Sequence, residues 1–361
     1  MPRVRTRGEE IRHFILQNVE KHPTDISKLT ADHFSITRQA VSKHLQKLTG
    51  ERALVESGNT RNRSYRLVPL SEWRNSYQIS PDLAEDQAWS NDVGPVIGQL
   101  PENVLDIWHY GFTEMFNNAK EHSGGSQILV HIRRTAANTE IVISDDGIGI
   151  FKKIQMALNL LDERHAIFEL SKGKLTTDPT KHTGEGIFFT SRIFDSFDIL
   201  SGGVFFTHSF GAAEDWIMER DRFQSGTTVW MKIDNHTART VKRIFDSYAS
   251  EDGDYGFNKT VVPVKLAQYG NDKLISRSQA KRVLARVELF TVVLFDFAGV
   301  LTIGQSFADE IFRVFAREHP AIELHVIHAS SEVKRMIARA KSGGPSTGAQ
   351  PSAGAANPKD Q

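Results

Sequence analysis

The segment TVVLFDFAGV, residues 291–300, constrains the fold more than any other part of the chain, because almost all of its residues are apolar. A strand with one face in water alternates apolar and polar residues, whereas a strand buried on both faces reads as a continuous apolar run. The segment therefore predicts a strand at a buried, central position of a sheet.

Residues 260–340 around this strand show further regular elements. Phe307–Glu318 has the spacing of an amphipathic helix, IELHVIHA predicts a second strand, and Glu332–Ala340 predicts another helix. We expect these residues to form one small α/β unit. Residues 341–361 are rich in Gly, Ser, Pro and Ala and are predicted to be disordered.

Composition narrows the class of protein. A length of 361 residues predicts two or three domains, and 39% hydrophobic residues suffice for a packed core. No apolar run approaches the roughly 18–20 residues that a membrane-spanning helix needs. The N-terminal MPRVRTRGEE lacks the apolar core of a secretory signal. The absence of Cys excludes disulfides and thiolate zinc sites. We therefore expect a cytoplasmic protein without a membrane partner.

The charge distribution separates residues 1–70 from the rest. The whole chain has 44 basic and 44 acidic residues, yet residues 1–70 hold 13 Lys/Arg against 7 Asp/Glu. A basic segment on a neutral protein predicts a local contact with a polyanion.

The same segment has a recognisable order of elements. Helices are predicted at Glu9–Lys21, Ile26–His33 and Arg38–Thr49, the last with Thr37 as N-cap, and ALVES and SYRLVPL predict two strands. This order, and the helix ITRQAVSKHLQKL, resemble a winged helix-turn-helix DNA-binding domain. The resemblance implies DNA contacts from short polar and basic residues of the third helix and from the tip of the wing. The candidates are Thr37, Arg38, Gln39, Ser42, Lys43, Arg61 and Arg63. The alternative is a winged helix used only for protein contacts.

Residues 71–100 are polar and mixed, and predict a connector that is partly helical. Residues 101–235 alternate helix and strand patterns. A helix is predicted at Leu105–Ser123, paired strands at Ser126–Arg133 and Thr139–Ser144, and a helix at Ile187–Phe194. Later strands are predicted at Phe197–Leu200, Val204–Ser209 and Thr227–Ile233.

The motif DDGIGI, residues 145–150, ends the second of the paired strands. A hairpin turn would need another strand directly afterwards, but FKKIQMALNLL has a helical period. The motif has two glycines, so it matches neither a G-x-x-x-x-G-K-[ST] phosphate loop nor a three-glycine dinucleotide fingerprint. Its role therefore depends on other segments.

Three distant segments complete a pattern. In FTEMFNNAKEHS, Glu114 and Asn118 are four residues apart and share one helical face, with His122 a turn later. In HTGEGIFFTSRIF, Gly184 and Gly186 precede a helix, where backbone amides can hold phosphate oxygens. In SGTTVWMKI, Thr227 follows a glycine at the start of a strand.

The four segments, in this order, resemble the GHKL ATPase family, which includes gyrase, histidine kinases and the bacterial anti-sigma kinases. The resemblance covers about residues 101–235 and implies a Bergerat-type α/β sandwich that binds ATP with Mg²⁺. It implies that Asn118 ligates Mg²⁺ and that Glu114 is the general base of hydrolytic members. Asp145 would accept a hydrogen bond from the adenine amino group, supported by Thr227. Gly147 and Gly149 would let the backbone approach the base, and Gly184 and Gly186 would form the end of a lid around the phosphates.

Two departures favour the anti-sigma branch over sensor histidine kinases. Glu121 stands three residues after Asn118, where histidine kinases usually carry Lys. No dimerising helix with a phosphoacceptor His precedes the region. Whether ATP is hydrolysed, transferred or only bound stays open at this point.

The C-terminal segment VVLFDFAGVLTIGQSFADEIFRVF resembles the STAS domain of anti-anti-sigma factors, with Asp296, Gly299 and Val300 at the matching strand end. It is more similar to STAS-like domains of unknown function that are fused to ATPases. Ser306 falls near the position of the serine that a partner kinase phosphorylates, although Gly304–Gln305 replace the acid of the motif. The alternative is that Ser306 is a helix cap.

The predicted protein is therefore α+β and multidomain: an N-terminal winged helix (1–70), a connector (71–100), a GHKL ATP-binding domain (101–235), a second connector (236–259) and a STAS-like α/β domain (260–340). The predicted function is an ATP-binding, DNA-binding transcriptional regulator. One alternative is an anti-sigma-type serine kinase or ATPase that acts on a STAS-like domain, with the winged helix as adaptor. Another is a defence or scaffold protein. DNA and a protein partner of the STAS-like domain are the expected partners, and a homodimer is retained as an assembly option.

Overall fold

The computed structural model describes residues 7–59, 62–176, 183–212, 215–249, 256–268 and 273–342, with the backbone alone at 220–223. Helices and several β-sheets combine in a mixed α/β architecture. None of the helices in these ranges is long and apolar enough to cross a membrane. We call residues 7–67 the N-terminal unit, 71–234 the central unit and 241–342 the C-terminal unit. Most of the expected disordered tail, 343–361, lies outside the described residues.

The N-terminal unit consists of three helices followed by an antiparallel hairpin. The elements are α1 (Arg7–Asn18), α2 (Ile26–Phe34), α3 (Arg38–Gly50), β1 (Leu54–Ser57) and β2 (Ser64–Leu67). Thr37 caps α3, because its hydroxyl accepts a hydrogen bond from the Ala40 amide at 3.2 Å. The predicted helices and the cap are therefore confirmed. The expected wing residue Arg61 lies outside the described residues.

A five-stranded antiparallel sheet forms the centre of the central unit. Its strands are β3 (Ser71–Gln78), β4 (Gln127–Arg134), β5 (Asn138–Asp145), β6 (Ser196–Ser209) and β7 (Trp216–Asp234). Their order across the sheet is β3-β4-β5-β7-β6. The predicted hairpin of β4 and β5 is confirmed, with Ile128 opposite Asp145 at one end.

The sheet differs from the sequence prediction at both edges. The expected connector 71–100 begins with β3, an edge strand whose Trp73 and Tyr77 pack on the core while Arg74 and Ser76 are exposed. The segments Phe197–Leu200 and Val204–Ser209 are one strand, because a β-bulge at Ser201–Gly202 lets the strand pass through Gly202 and Gly203. Strand β7 begins at Trp216, eleven residues before the predicted Thr227, and the charged residues after Met218 interrupt its apolar pattern.

The helices of the central unit are α4 (Glu85–Ala88), α5 (Gly94–Ile97), α6 (Glu102–Asn117), α7 (Ile150–Leu158), α8 (Glu163–Lys172) and α9 (Gly186–Ile193). A π-helical segment, Trp89–Val93, joins α4 to α5. The long predicted helix ending at Ser123 is interrupted by a second π-helical turn, Asn118–His122, directly after α6. Such turns are rare and frequently occur at functional sites.

The C-terminal unit contains a three-stranded parallel sheet. Its elements are α10 (Val241–Tyr248), β8 (Lys259–Pro263), α11 (Arg277–Leu284), β9 (Val292–Asp296), α12 (Gln305–Asp309), α13 (Ala316–Glu318), β10 (Glu323–Ile327) and α14 (Ser331–Ser342). A π-helical segment, Glu310–Phe315, makes α12 and α13 continuous. Strand β9 lies between β10 and β8, which confirms the central position predicted from its apolar run.

Buried side chains show how the units combine. One hydrophobic cluster runs from Ala88 to Ala340 and therefore includes both the central and the C-terminal unit. The N-terminal unit has a separate cluster that packs on Ala137, at the β4–β5 turn. The C-terminal unit is thus packed against the central sheet assembly through a shared core, whereas the N-terminal unit has its own core.

Candidate functional site

Residues from all four sequence motifs line a single cavity of about 300 Å³. The predicted residues that line it are Glu114, Asn118, Asp145, Gly184, Gly186 and Thr227. The walls between them are largely apolar and come from α6, β5, α7, α8, α9, β6 and β7; the apolar lining residues are Met115, Ala119, Ile143, Ile150, Ile154, Leu170, Leu175, Ile187, Ile199 and Val229. An apolar cup with a few convergent polar groups is the usual form of a small-molecule site.

Asp145 is fixed at one corner of this cavity by its neighbours in the sheet. Its Oδ1 accepts hydrogen bonds from the amides of Gly147 at 3.0 Å and Thr227 at 3.2 Å. The side chain of Thr227 also interacts with this carboxylate and favours its ionised form. Burial raises the pKa of Asp145, and the two backbone amides partly offset this effect. The carboxylate is therefore costly to bury but fixed in orientation.

Thr227 supports the same corner from strand β7. Its hydroxyl accepts a hydrogen bond from the amide of Ile150, the first residue of α7, at 2.9 Å. The preceding Gly226 has a φ of +76°, and a Cβ at that position would lie 1.9 Å from the Asp145 carbonyl oxygen. A glycine is therefore required for β7 to approach the end of β5 so closely.

The sequence indicated no role for Asp146. In the structure its carboxylate holds the loop before β4 through hydrogen bonds. It accepts hydrogen bonds from the Ser126 amide at 2.7 Å, the Ser126 hydroxyl at 2.5 Å and the Gln127 amide at 3.0 Å. These bonds lower the pKa of Asp146. The two adjacent acids of the motif thus have different functions, because only Asp145 lines the cavity.

Gly147 and Gly149 are not lining residues. A Cβ at Gly147 would lie 2.2 Å from the Ser123 carbonyl oxygen, and one at Gly149 would lie 2.5 Å from the Ser201 hydroxyl. Close packing within the protein therefore explains why both positions are glycine. The approach of their backbone to a bound base stays a prediction.

Glu114 and Gly186 meet on the opposite wall. A Cβ at Gly186 would lie 1.9 Å from Glu114 Oε2, so the glycine leaves the space that this carboxylate occupies at the start of α9. Asn118 follows one turn later, where the π-helical turn begins. Burial raises the pKa of Tyr110 on the same helix, and the nearby carboxylates of Glu114 and Glu185 raise it further.

Gly184 connects this wall to the segment after α8. Its carbonyl accepts a hydrogen bond from the Leu175 amide at 3.0 Å. Gly184 has a φ of +73°, and a Cβ there would lie 2.5 Å from the Leu175 backbone. Part of the expected lid, 177–182, lies outside the described residues.

Lys153 is a lining residue that sequence reasoning missed. Its Nζ donates a hydrogen bond to the His122 carbonyl at 2.7 Å, and burial lowers its pKa. Lys153 follows Ile150 by three residues on α7, so the helical period places both on the face that lines the cavity. Lys153 provides a cation in a cavity that otherwise contains the carboxylates of Glu114 and Asp145.

The donor set fits Mg²⁺ only together with a ligand. In the described ranges no three His, Cys, Asp or Glu side chains could hold a metal ion. Mg²⁺ is commonly held by one or two protein oxygens plus substrate phosphates and water. Asn118 lines the cavity, and only its backbone amide is engaged within the helix, so its side-chain oxygen would be available to such an ion.

Of the expected DNA-contacting residues, those that the structure describes belong to α3, its N-cap and the hairpin of β1 and β2. Arg38, Gln39 and Lys43 of α3 are exposed, and Ser42 is half-buried. The hydroxyl of Thr37 is engaged in the helix cap. Arg63 is exposed and forms an ion pair with Glu56 across the hairpin at 3.0 Å.

Ser306 lies on the C-terminal unit and is not among the residues that line the cavity. It is exposed and is the second residue of α12, whose N-cap is Gly304. The structure therefore differs from the alternative in which Ser306 caps the helix. The helix begins two residues earlier than predicted, because Gly304 already ends the preceding loop.

Comparison with known proteins identifies one region. A family model described as a STAS-like domain of unknown function (DUF4325) matches residues 279–334, which include β9, α12 and β10. The chain therefore has a C-terminal STAS-like domain. No curated protein matches the chain.

Proposed function

We propose that this protein is an ATP-binding, DNA-binding regulator in which a GHKL-type domain of residues 101–235 controls an N-terminal winged helix. The observation that carries the proposal is the meeting of four motifs, separated by up to 113 residues between Glu114 and Thr227, at one cavity. A surface patch or an ordinary loop gives no reason for these segments to converge.

The proposed ligand follows from the chemistry of the cavity. The apolar cup would hold the adenine ring, and Asp145 Oδ2 would accept a hydrogen bond from its amino group. A guanine presents a carbonyl oxygen at that position, which a carboxylate repels. The phosphates would extend toward Gly184 and Gly186, where Asn118 would hold Mg²⁺. The metal supplies the positive charge that lets phosphates lie beside Glu114.

Strands β5 and β7 form the proposed link between the cavity and the DNA-binding N-terminal unit. Asp145 and Thr227 lie at one end of the paired strands β5 and β7, and Asn138 and Asp234 lie opposite each other at the other end. At that far end the N-terminal unit is attached: Gln17 donates to Asp234 at 2.9 Å, and Glu20 pairs with Lys232 and accepts from Asn138 at 3.2 Å. The strands therefore offer a rigid connection between the cavity and α1.

A serine kinase or ATPase is the second candidate. The STAS-like domain and the exposed position of Ser306 favour it, because serine phosphorylation in STAS-type partners is the chemistry that the resemblance implies. In this case Glu114 would activate the attacking hydroxyl or water as general base, and the winged helix would be an adaptor.

One experiment tests ligand and chemistry together. The full chain is titrated with a fluorescent ATP analogue and Mg²⁺, and unlabelled ATP and GTP are added as competitors. We expect displacement by ATP and not by GTP at equal concentration. Equal competition would contradict the role of Asp145, and no binding at all would overturn the proposed function.

The same preparation distinguishes the second candidate. After incubation with ATP labelled at the γ-phosphate, mass spectrometry of the protein detects phosphate on Ser306, and an assay of labelled inorganic phosphate detects release to solvent. The Ser306→Ala variant is the control, because it should lose any phosphate that is attached to Ser306. Transfer to Ser306 would favour the kinase, whereas bound and unchanged ATP would favour the regulator.

A further inference from the structure

Helix α8 carries a pair of charged residues that are completely removed from water. Glu169 is 1% exposed and Lys172 is 0% exposed, and their Oε1 and Nζ atoms lie 2.8 Å apart. Burying charges is unfavourable unless each is paired and hydrogen-bonded. A pair at this depth therefore holds α8 in one defined position.

The partners of Lys172 belong to the STAS-like domain. Its Nζ also donates to the carbonyls of Arg282 at 3.1 Å and Ala285 at 2.8 Å, which end helix α11. An ammonium has three donors, so all of them are used. The position is favourable because the C-terminus of a helix carries partial negative charge.

Arg286 of the STAS-like domain contacts the end of α8. Its guanidinium donates to Glu169 Oε2 at 3.3 Å, to the Gly173 carbonyl at 3.0 Å and to the Lys174 carbonyl. Burial opposes ionisation of Glu169, yet His165, Lys172 and Arg286 together hold the pKa of its carboxyl below the ordinary value. The charged form is therefore the one that fits this contact.

Two more hydrogen bonds close the contact along the backbone. The Thr260 hydroxyl of β8 donates to the Lys172 carbonyl at 2.6 Å, and Lys174 Nζ donates to the Leu289 carbonyl at 2.9 Å. Residues 169–174 are thus attached to the C-terminal unit at both their side chains and their main chain.

The same stretch forms a wall of the candidate nucleotide cavity. Leu170 lies within it, Leu175 and Thr176 follow directly, and all three line the cavity. Leu175 also donates to the carbonyl of Gly184, on the expected phosphate side. The position of this wall therefore depends on contacts outside the central unit.

We propose that Arg286, together with the Glu169–Lys172 pair, acts as a positioning group through which the STAS-like domain sets the affinity of the cavity for ATP. This inference rests on the proposed function for the identity of the ligand. With the contact formed, Leu170 and Leu175 are held against the cavity. A partner that shifts Arg286 and the end of α11 relative to α8 loosens this wall and weakens nucleotide binding. By linkage, bound nucleotide strengthens the contact to the same extent.

The test compares variants of the full chain. Dissociation constants and dissociation rates of the fluorescent ATP analogue with Mg²⁺ are measured for the wild type, Arg286→Ala, Arg286→Lys and Arg317→Ala. Arg317 is an exposed arginine of the C-terminal unit, on α13, and controls for loss of charge. We expect Arg286→Ala to weaken binding by roughly 2- to 30-fold, mainly through faster dissociation. Arg286→Lys should recover part of the loss, and Arg317→Ala should match the wild type.

Hydrogen exchange separates positioning from simple destabilisation. Nucleotide should increase the protection of amides in 170–176 and also in 285–289 of the wild type. Arg286→Ala should retain protection in the core strand β9 but lose the response at 285–289. If Arg286→Ala does not fold, the double variant Glu169→Gln/Lys172→Met replaces the pair with neutral side chains of similar volume, a change that is often tolerated.

The outcomes distinguish this inference from the proposed function. Wild-type affinity and dissociation rate in folded Arg286→Ala, or in the double variant, would overturn the positioning role alone. Absence of binding by the wild-type chain would overturn both proposals. Equal losses in Arg286→Ala and Arg317→Ala would assign the effect to charge and would also contradict the positioning role.

Discussion

Asp145 illustrates how one residue combines a stability cost with a proposed binding role. It is half-buried, and its Oδ1 accepts hydrogen bonds from two backbone amides. An acid whose pKa is raised in the folded state favours folding most below its unfolded value, near 3.8, and this contribution is lost as pH rises through the folded pKa. At neutral pH the ionised carboxylate therefore lowers the stability of the chain without ligand.

We predict that Asp145→Asn leaves the free protein as stable as the wild type or more stable at pH 7. The asparagine oxygen can still accept both backbone hydrogen bonds, and the buried charge is removed. Affinity for ATP should fall by roughly tenfold to a hundredfold, because a charged hydrogen bond is lost. Thermal unfolding and analogue titration measure the two effects.

Asp146→Asn is the matched control at the neighbouring position. The pKa of Asp146 is lowered, so its contribution to stability is present above pH 3.8 and lost as pH falls through the folded value. This variant should lower stability at pH 7 and keep nucleotide affinity. Wild-type nucleotide affinity in Asp145→Asn together with weakened affinity in Asp146→Asn would contradict the roles assigned to the two acids.

Gly186 yields a second prediction at a single position. In Gly186→Ala the new Cβ would displace the Glu114 carboxylate, which is the movable end of a flexible side chain. Folding should therefore be retained, whereas binding of the ATP analogue with Mg²⁺ should weaken by about tenfold, the scale of one lost charged contact. Gly50→Ala, at the end of α3 in open space, is the control for the same chemical change. Unchanged binding by Gly186→Ala would place the phosphates elsewhere.

At the scale of elements, periodic patterns predicted the helices of the N-terminal unit, the β4–β5 hairpin and the central strand β9. They failed at β3, where only the apolar Trp73 and Tyr77 pack on the core, and at the start of β7, where charged residues follow Met218 and interrupt the apolar pattern. They also missed the π-helical turn at Asn118, since a pattern of side chains does not reveal the hydrogen bonding of the backbone. The local sequence therefore predicts helices and strands that bury one clearly apolar face. It does not predict strands with few apolar residues that complete the edge of a sheet.

The candidate site was predictable to a similar extent. Six of its lining residues follow from motif order, whereas Lys153 and the wall at Leu170 and Leu175 depend on how α7 and α8 fold back. The contact of α8 with Arg286 joins positions more than a hundred residues apart, and no spacing rule indicates it.

Helix α3 allows a prediction about DNA. Lys43 is exposed on α3, so Lys43→Ala should weaken DNA binding uniformly across sequences and reduce the slope of log affinity against log salt by about 0.9. Lys21→Ala removes the same charge from the N-terminal unit outside α3. Binding that is absent from the wild type even at low salt would show that this unit serves protein contacts instead.

At the scale of the whole molecule, the central sheet lies between two attachments. Its β5 and β7 strands carry the cavity at one end and contact α1 at the other, and its helix α8 is fixed to the STAS-like domain. ATP bound at the cavity would therefore be sensed in both directions. ATP would change the position of either attached unit only if it binds one arrangement of the units more tightly than another.

The measurement that tests the central claim most directly is DNA affinity of the full chain with and without ATP and Mg²⁺, at fixed salt, for the wild type and Asp145→Asn. DNA sequences that the protein selects from a random library serve as ligand. We expect ATP to change the wild-type dissociation constant by roughly 5- to 150-fold and to leave that of Asp145→Asn unchanged. The same dissociation constant for the wild type with and without ATP would contradict the account.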